Sequence, residues 1–91
     1  MAYLPVKIIE NSGESIENAI IILGAEGSFD GVSYEYQYLN EFFNKAGLNF
    51  KVLKQTLLCV NNKYYDKLEV EISNGEKRAF YFDITDFFGK I

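Results

Sequence analysis

Residues 64–84, YYDKLEVEISNGEKRAFYFDI, decide the fold, because they read as two strands joined by a tight turn. Over 64–73, Leu68, Val70 and Ile72 share one face while Glu69 and Glu71 take the other. That alternation marks a strand with one side buried. Asn74-Gly75 is a strong hairpin signal, since both residues accept the positive φ that such turns require. The loop length follows from which face each choice would bury. A two-residue loop sets Leu68, Val70 and Ile72 against Tyr81, Ala79 and Lys77. A three-residue loop, Ser73-Asn74-Gly75 with Gly75 left-handed, sets them against Phe80, Arg78 and Glu76. Only the second puts Phe80, Phe82 and Ile84 on the aliphatic face, so it is preferred.

Upstream, residues 50–60 (FKVLKQTLLCV) supply the first strand of this meander and run into an Asn61-Asn62 turn. Before them lies the clearest helix, from Gly31 to Ala46, with Asp30 or Ser33 as N-cap and Gly47 as the stop. At 100° per residue, Val32, Tyr36, Leu39, Phe43 and Ala46 form one stripe with Phe42 beside it. Ser33, Gln37, Asn40 and Asn44 face the other way, so the helix packs one side onto something flat. The short β-branched run 19–24 reads as a strand in preference to a helix that Ser15 would cap, with Glu17 in its first turn. Residues 3–10 (YLPVKIIE) make a first strand in which Pro5 marks an edge or entry position, and NSGES at 11–15 is a turn. In the closing TDFFGKI, Thr85 caps a helical turn that brings Phe87 or Phe88 to the core. The order is ββαβββ: one α+β domain over 1–91, a mostly antiparallel sheet with one main helix on one face.

Ninety-one residues leave room for one core. The net charge of −4 comes with scattered lysines, so nucleic acid and anionic membrane surfaces are unfavourable partners and a basic protein is a favourable one. The N-terminus lacks a basic start and a long apolar run, and the longest apolar stretch, Ala19 to Leu23, is too short to cross a bilayer. With a single cysteine excluding an internal disulfide, the expectation is a cytoplasmic protein. Eight lysines to one arginine indicate an AT-rich coding bias.

The stretch IIILGAEGSFDG (20–31) has the strand–turn–helix order of many phosphate sites. Its glycines follow G-x-x-G-x-x-x-G, which fits neither the dinucleotide nor the P-loop pattern. Glu26 and Asp30 in the turn would also repel an anion. The same acids approach a calcium loop, with Glu26, Ser28 and Asp30 alternating before Gly31. Phe29 and Gln37 break that pattern at two ligand-loop positions, so no metal site is expected. With no histidine, the commonest general base and the usual zinc sets are missing. No cofactor is called for. Cys59, in an apolar strand, reads as an inert core residue. Glu69 and Glu71 read as a solvated face with Arg78 near them across the hairpin. Glu35, at the border of the apolar stripe, reads as a side chain that reaches back to water.

The aromatic residues carry the functional lead. Tyr34 and Tyr38, one turn apart, lie off the apolar stripe on the side of Glu41 and Lys45. Partly exposed tyrosines beside acids have the composition of an interface core. Tyr34, Tyr38, Glu41 and Lys45 are therefore the expected partner-binding residues. Short acidic α+β chains without catalytic side chains include bacterial immunity proteins and inhibitors, an analogy of class alone. Two other readings stand beside this one. The first is a small-molecule pocket, or a minor enzyme's site, between helix and sheet, lined by Tyr36, Tyr64, Phe80 and Glu35. The second is a homodimer or larger homo-oligomer formed through an exposed sheet edge or the tyrosine face.

Overall fold

The computed structural model describes residues 7–24 and 28–88, with the backbone alone for 28–30. Its elements are β1 (Lys7–Ile9), β2 (Ile20–Leu23), α1 (Ser28–Lys45), β3 (Phe50–Val60), β4 (Lys63–Ile72) and β5 (Lys77–Asp83). They form an α+β domain whose five strands run in the order β1-β2-β5-β4-β3. The expected first strand at 3–10 is present as 7–9, and Pro5 lies outside the described residues.

The β4–β5 hairpin has the three-residue loop. Leu68 pairs with Phe80 and Val70 with Arg78, the N–H of Ile72 donates to the carbonyl of Glu76, and Gly75 has φ +95°. Between β3 and β4, Asn61 and Asn62 both take positive φ, 52° and 64°. That is the twist-matched two-residue turn. Arg78 therefore shares the face of Val70, and the strand partner of Glu71 is Lys77. The expected proximity of Arg78 to Glu69 and Glu71 is corrected by this register.

β2 lies beside β5 and parallel to it, Ile20 against Phe82, while every other pairing is antiparallel. The chain leaves β2, crosses the face of β5 and β4 through α1, and returns as the far edge strand β3. Eighteen helical residues span about 27 Å, enough to cross a sheet of this width. Where β2 has yet to begin, the preceding loop takes its place: the carbonyl of Gly13 accepts from the N–H of Tyr81 at 2.8 Å. Gly13 has φ +72°, and a Cβ there would stand 2.9 Å from Cδ1 of Ile20. The turn residue is thus fixed by sheet geometry as well as by chain reversal.

The helix differs from expectation in start and in rotation. It begins at Ser28, so Asp30 and Ser33 are interior residues and not N-caps. Its C-terminus ends as expected: Gly47 has φ +71°, Leu48 N–H donates to Phe43 O and Gly47 N–H to Asn44 O, the paired bonds of a left-handed glycine stop. The buried row is Gly31, Glu35, Leu39 and Phe43, not the stripe centred on Val32 and Tyr36; Ala46 is exposed. On the helical wheel this is a rotation of roughly 40° towards Tyr38.

Its cause lies at the other end of the chain. Ile84 O accepts from the N–H groups of Phe87 and Phe88, and this turn drives the Phe87 ring under the helix. A Cβ on Gly31 would come within 2.1 Å of that ring. Only a bare helix backbone admits the phenylalanine, so Gly31 must face the sheet, and the residues at four-residue spacing follow it. Thr85 does not cap this turn. Its hydroxyl accepts from the N–H of Tyr64 at 3.0 Å, while Asp83 Oδ1 accepts the N–H of Thr85. The core comprises Ile20, Ile22, Leu39, Phe43, Leu68, Val70, Ile72, Phe80, Phe82, Ile84 and Phe87, all between helix and sheet.

Candidate functional site

Two places on the helix side combine polar and apolar groups in ways that packing alone does not require. The first is a groove of ≈ 500 Å³ along the flank of α1, lined by Glu10, Asn11, Tyr38, Glu41, Phe42, Lys45 and Ala46. Three of the four residues expected from the sequence, Tyr38, Glu41 and Lys45, meet there. Tyr34, one turn earlier, is half-buried and packs against the core without lining the groove. Tyr38 meets the edge of Phe82 at 6.1 Å and stacks on Phe42 at 6.4 Å, so its ring is anchored while the side chain as a whole stays half-buried. Burial, and then the nearby Glu10 carboxylate, push the Tyr38 phenol above its ordinary pKa. Both causes oppose a second negative charge, and a cation in the groove would relieve the second. Phe42 is 39% exposed although Arg78 stands over its ring at 5.7 Å, and the same guanidinium covers Phe80 at 4.6 Å. The groove thus offers an aromatic floor with carboxylates on its rim.

The second place is a buried acid pair under the first half of the helix. The helix rotation that seats Phe87 also carries Glu35 inward, where it is fully buried; the expected return to water does not occur. Asp66, on the helix-facing side of β4, is also buried, and its Oδ2 accepts from Gln55 Nε2 at 2.9 Å. Asp66 is the neighbour that acts on Glu35, through hydrogen bonding to its neutral form and through its charge, although neither Glu35 oxygen has a partner in strict hydrogen-bond geometry. Desolvation first, and Asp66 second, push the Glu35 carboxyl up to about 10. Glu35 is accordingly a neutral acid at physiological pH. Beside the pair opens a cleft of ≈ 230 Å³ lined by Val32, Gln55, Leu57, Asp66, Ile84, Phe87 and Phe88.

This cleft replaces the expected pocket of Tyr36, Tyr64, Phe80 and Glu35. Phe80 packs against Phe42 and Phe43 at the far end of the helix, Tyr36 packs half-buried against the core's margin and lines a separate depression with Val32, Ser33, Gln37 and Asn40, and Tyr64 stacks on Phe88 at 4.2 Å. The sequence reading missed Asp66 and Gln55. Asp66 had a signal: it stands two residues before Leu68, in step with the buried face of β4. Gln55 had none, because the bulge between Val52 and Lys54 shifts which residues of β3 face the helix.

Cys59 is exposed, not part of the core, because β3 is an edge strand with half its surface uncovered. The turn before α1 offers no free cradle at its described residue: Gly24 N–H donates to Asp86 Oδ2 at 2.8 Å, so the chain's own carboxylate takes that amide. Ser28, Asp30 and Gly31 are helical, which removes them from a calcium-type loop. No helix among the described residues is long and apolar enough to cross a membrane. No protein-family model matches the chain, and comparison with the curated proteins and with the solved structures finds no match.

Proposed function

We propose that this protein is a non-enzymatic interaction module of the inhibitor or immunity type, and that it binds a basic protein through the Tyr38 groove. The observation supporting this reading is the convergence of Tyr38, Phe42, Glu10, Glu41 and Lys45 on one concave strip of an acidic chain. A lysine or arginine of the partner would lay its apolar stem on Phe42 and Tyr38 and its charge between Glu10 and Glu41. Tyr34 would extend the contact along the same flank. Long-range attraction to a chain of charge −4 would speed encounter, and the rate would fall with salt.

The test is affinity capture from the source lysate at low and high salt, with Tyr38→Ala/Glu41→Lys as the control. Capture of a basic protein by the native chain, at low salt only and lost in the double variant, is expected. Equal capture by both chains, or empty lanes at both salts, would sink the groove as the binding face.

A second reading has its own observation. The cleft lined by Asp66, with the buried Glu35 acting on the same carboxylate, supports a small-molecule site, binding or weakly enzymatic, in an apolar slot with Asp66 as its acid. It predicts a raised Tm with small organic cations such as benzylammonium, an effect absent in Asp66→Asn.

A further inference from the structure

We propose that the cleft beside Asp66 takes a compact primary ammonium, with Asp66 as its counter-ion and Glu35 as the positioning residue that keeps Asp66 charged. This rests on the small-molecule reading given above and names the ligand class and the division of labour between the two acids.

Two carboxyls are buried together here, Glu35 on α1 at 0% exposure and Asp66 on β4 at 4%. So dry a place does not hold two neighbouring charges, and the member of the pair that keeps its proton is Glu35. One negative charge is left, on Asp66. Its surroundings do not neutralise it. Besides Glu35, α1 presents Val32; β3 presents Gln55 and Leu57; the β5 partner is Phe82; the closing turn brings Ile84, Phe87 and Phe88. None of these is a cation. A buried charge without an opposite charge is costly, and the cleft opens this one to a ligand that would supply it.

The site selects which cation. Gln55 Nε2 holds Asp66 Oδ2 at 2.9 Å, and among the described residues no donor stands in hydrogen-bond geometry to Oδ1. A guanidinium binds best across both oxygens of a carboxylate, so the Gln55 bond disfavours it. An ammonium needs one oxygen only. The cleft, at ≈ 230 Å³, is smaller than the about 300–1,000 Å³ of ordinary ligand pockets, so the ligand is compact. Its walls are apolar apart from Asp66 and Gln55, and two of them, Leu57 and Phe88, are 50% and 37% exposed. A flat apolar body behind the ammonium would cover both.

Glu35 works through Asp66 and not on the ligand, because it is buried outside the cleft lining. A neutral carboxyl offers an O–H to the charged one beside it, and a donor to the charged form favours that form. Glu35→Gln keeps an uncharged donor at this position, whereas Glu35→Leu removes it.

The experiment is calorimetric titration of the full chain with benzylammonium, benzyl alcohol, which lacks the charge, and benzyltrimethylammonium, which lacks the N–H donors. The native chain should bind benzylammonium at least about tenfold more tightly than either of the others. Glu35→Gln should hold that affinity within about threefold, while Glu35→Leu should lose about tenfold with an unchanged circular-dichroism spectrum. Glu35→Leu should also release benzylammonium at a higher pH on acidification, a shift that a merely structural role for Glu35 would not produce. Benzyl alcohol bound as tightly as benzylammonium overturns the proposal and leaves the small-molecule reading intact, whereas no binding of any of the three ends both. Benzylammonium binding that Glu35→Leu leaves unchanged in affinity and in pH profile overturns the proposal as well.

Discussion

The two halves of α1 place residues on the same row at the same four-residue spacing, and bury very different things. In the second half the row is Leu39 and Phe43, and the rings of Phe42, Phe43, Phe50 and Phe80 interlock at 5.1–5.8 Å. In the first half it is Gly31 and Glu35, a residue with no side chain and one that ought to be charged. The second half is held by apolar contact made by the helix itself. The first is held by a ring supplied from the chain's other end, and it tolerates an unpartnered acid as the consequence. A buried face is thus set by what the helix must pack against, and hydrophobicity along the helix records only part of that.

The largest perturbation of this contrast removes the ring. Phe87→Ala should cost about 3–5 kcal/mol, the cost of emptying a buried aromatic site, read as a fall in urea midpoint at constant m. A loss below about 1 kcal/mol would mean that the helix holds its rotation without Phe87.

Next comes the acid. Between the ordinary carboxyl value of 4.5 and about 10, the folded chain keeps a proton on Glu35 that the unfolded chain has released. The stabilising contribution is therefore complete below pH 4.5 and is lost as pH rises through that window, by about 1.4 kcal/mol per unit. Glu35→Gln should remove this slope and gain on the order of 3 kcal/mol at pH 7. Parallel stability-against-pH curves for the two proteins would contradict the neutral buried acid.

Gly31→Ala sharpens the comparison by its sign. In an open helix the change gains about 1 kcal/mol; here the Cβ meets the Phe87 ring, and a net loss of about 1–3 kcal/mol is expected. Thermal melts of the single variant and of Gly31→Ala/Phe87→Ala decide it, because the alanine should turn from harmful to helpful once the ring is gone. The smallest effect belongs to the second half: Arg78→Gln should cost about 0.5–1 kcal/mol through its contacts with Phe42 and Phe80, without altering the pH profile.

These residues also show what was legible in the sequence. The β4–β5 register could be derived, because each loop length buried a different, countable set of side chains. So could the end of the helix, because Gly47 has one mechanism. The helix rotation was not legible. It depends on Phe87 reaching Gly31 across most of the chain, and glycine carries no hydrophobic signal. Glu35 followed from that error. The groove was partly readable from the spacing of Tyr38, Glu41 and Lys45, while Glu10 and Asn11 join it only through the fold. The cleft was unreadable at Gln55, where a bulge changes the parity of β3.

The parallel contact of β2 on β5 has a consequence in time. The meander β3–β5 closes through two tight turns, whereas Ile20 must find Phe82 across about two thirds of the chain. Closing so long a loop is entropically slow unless one partner is already in place. We expect the meander to form the folding nucleus and β2 to dock last. Leu68→Ala should then slow refolding, whereas Ile22→Val should mainly speed unfolding; stopped-flow arms with the opposite pattern would reverse the order.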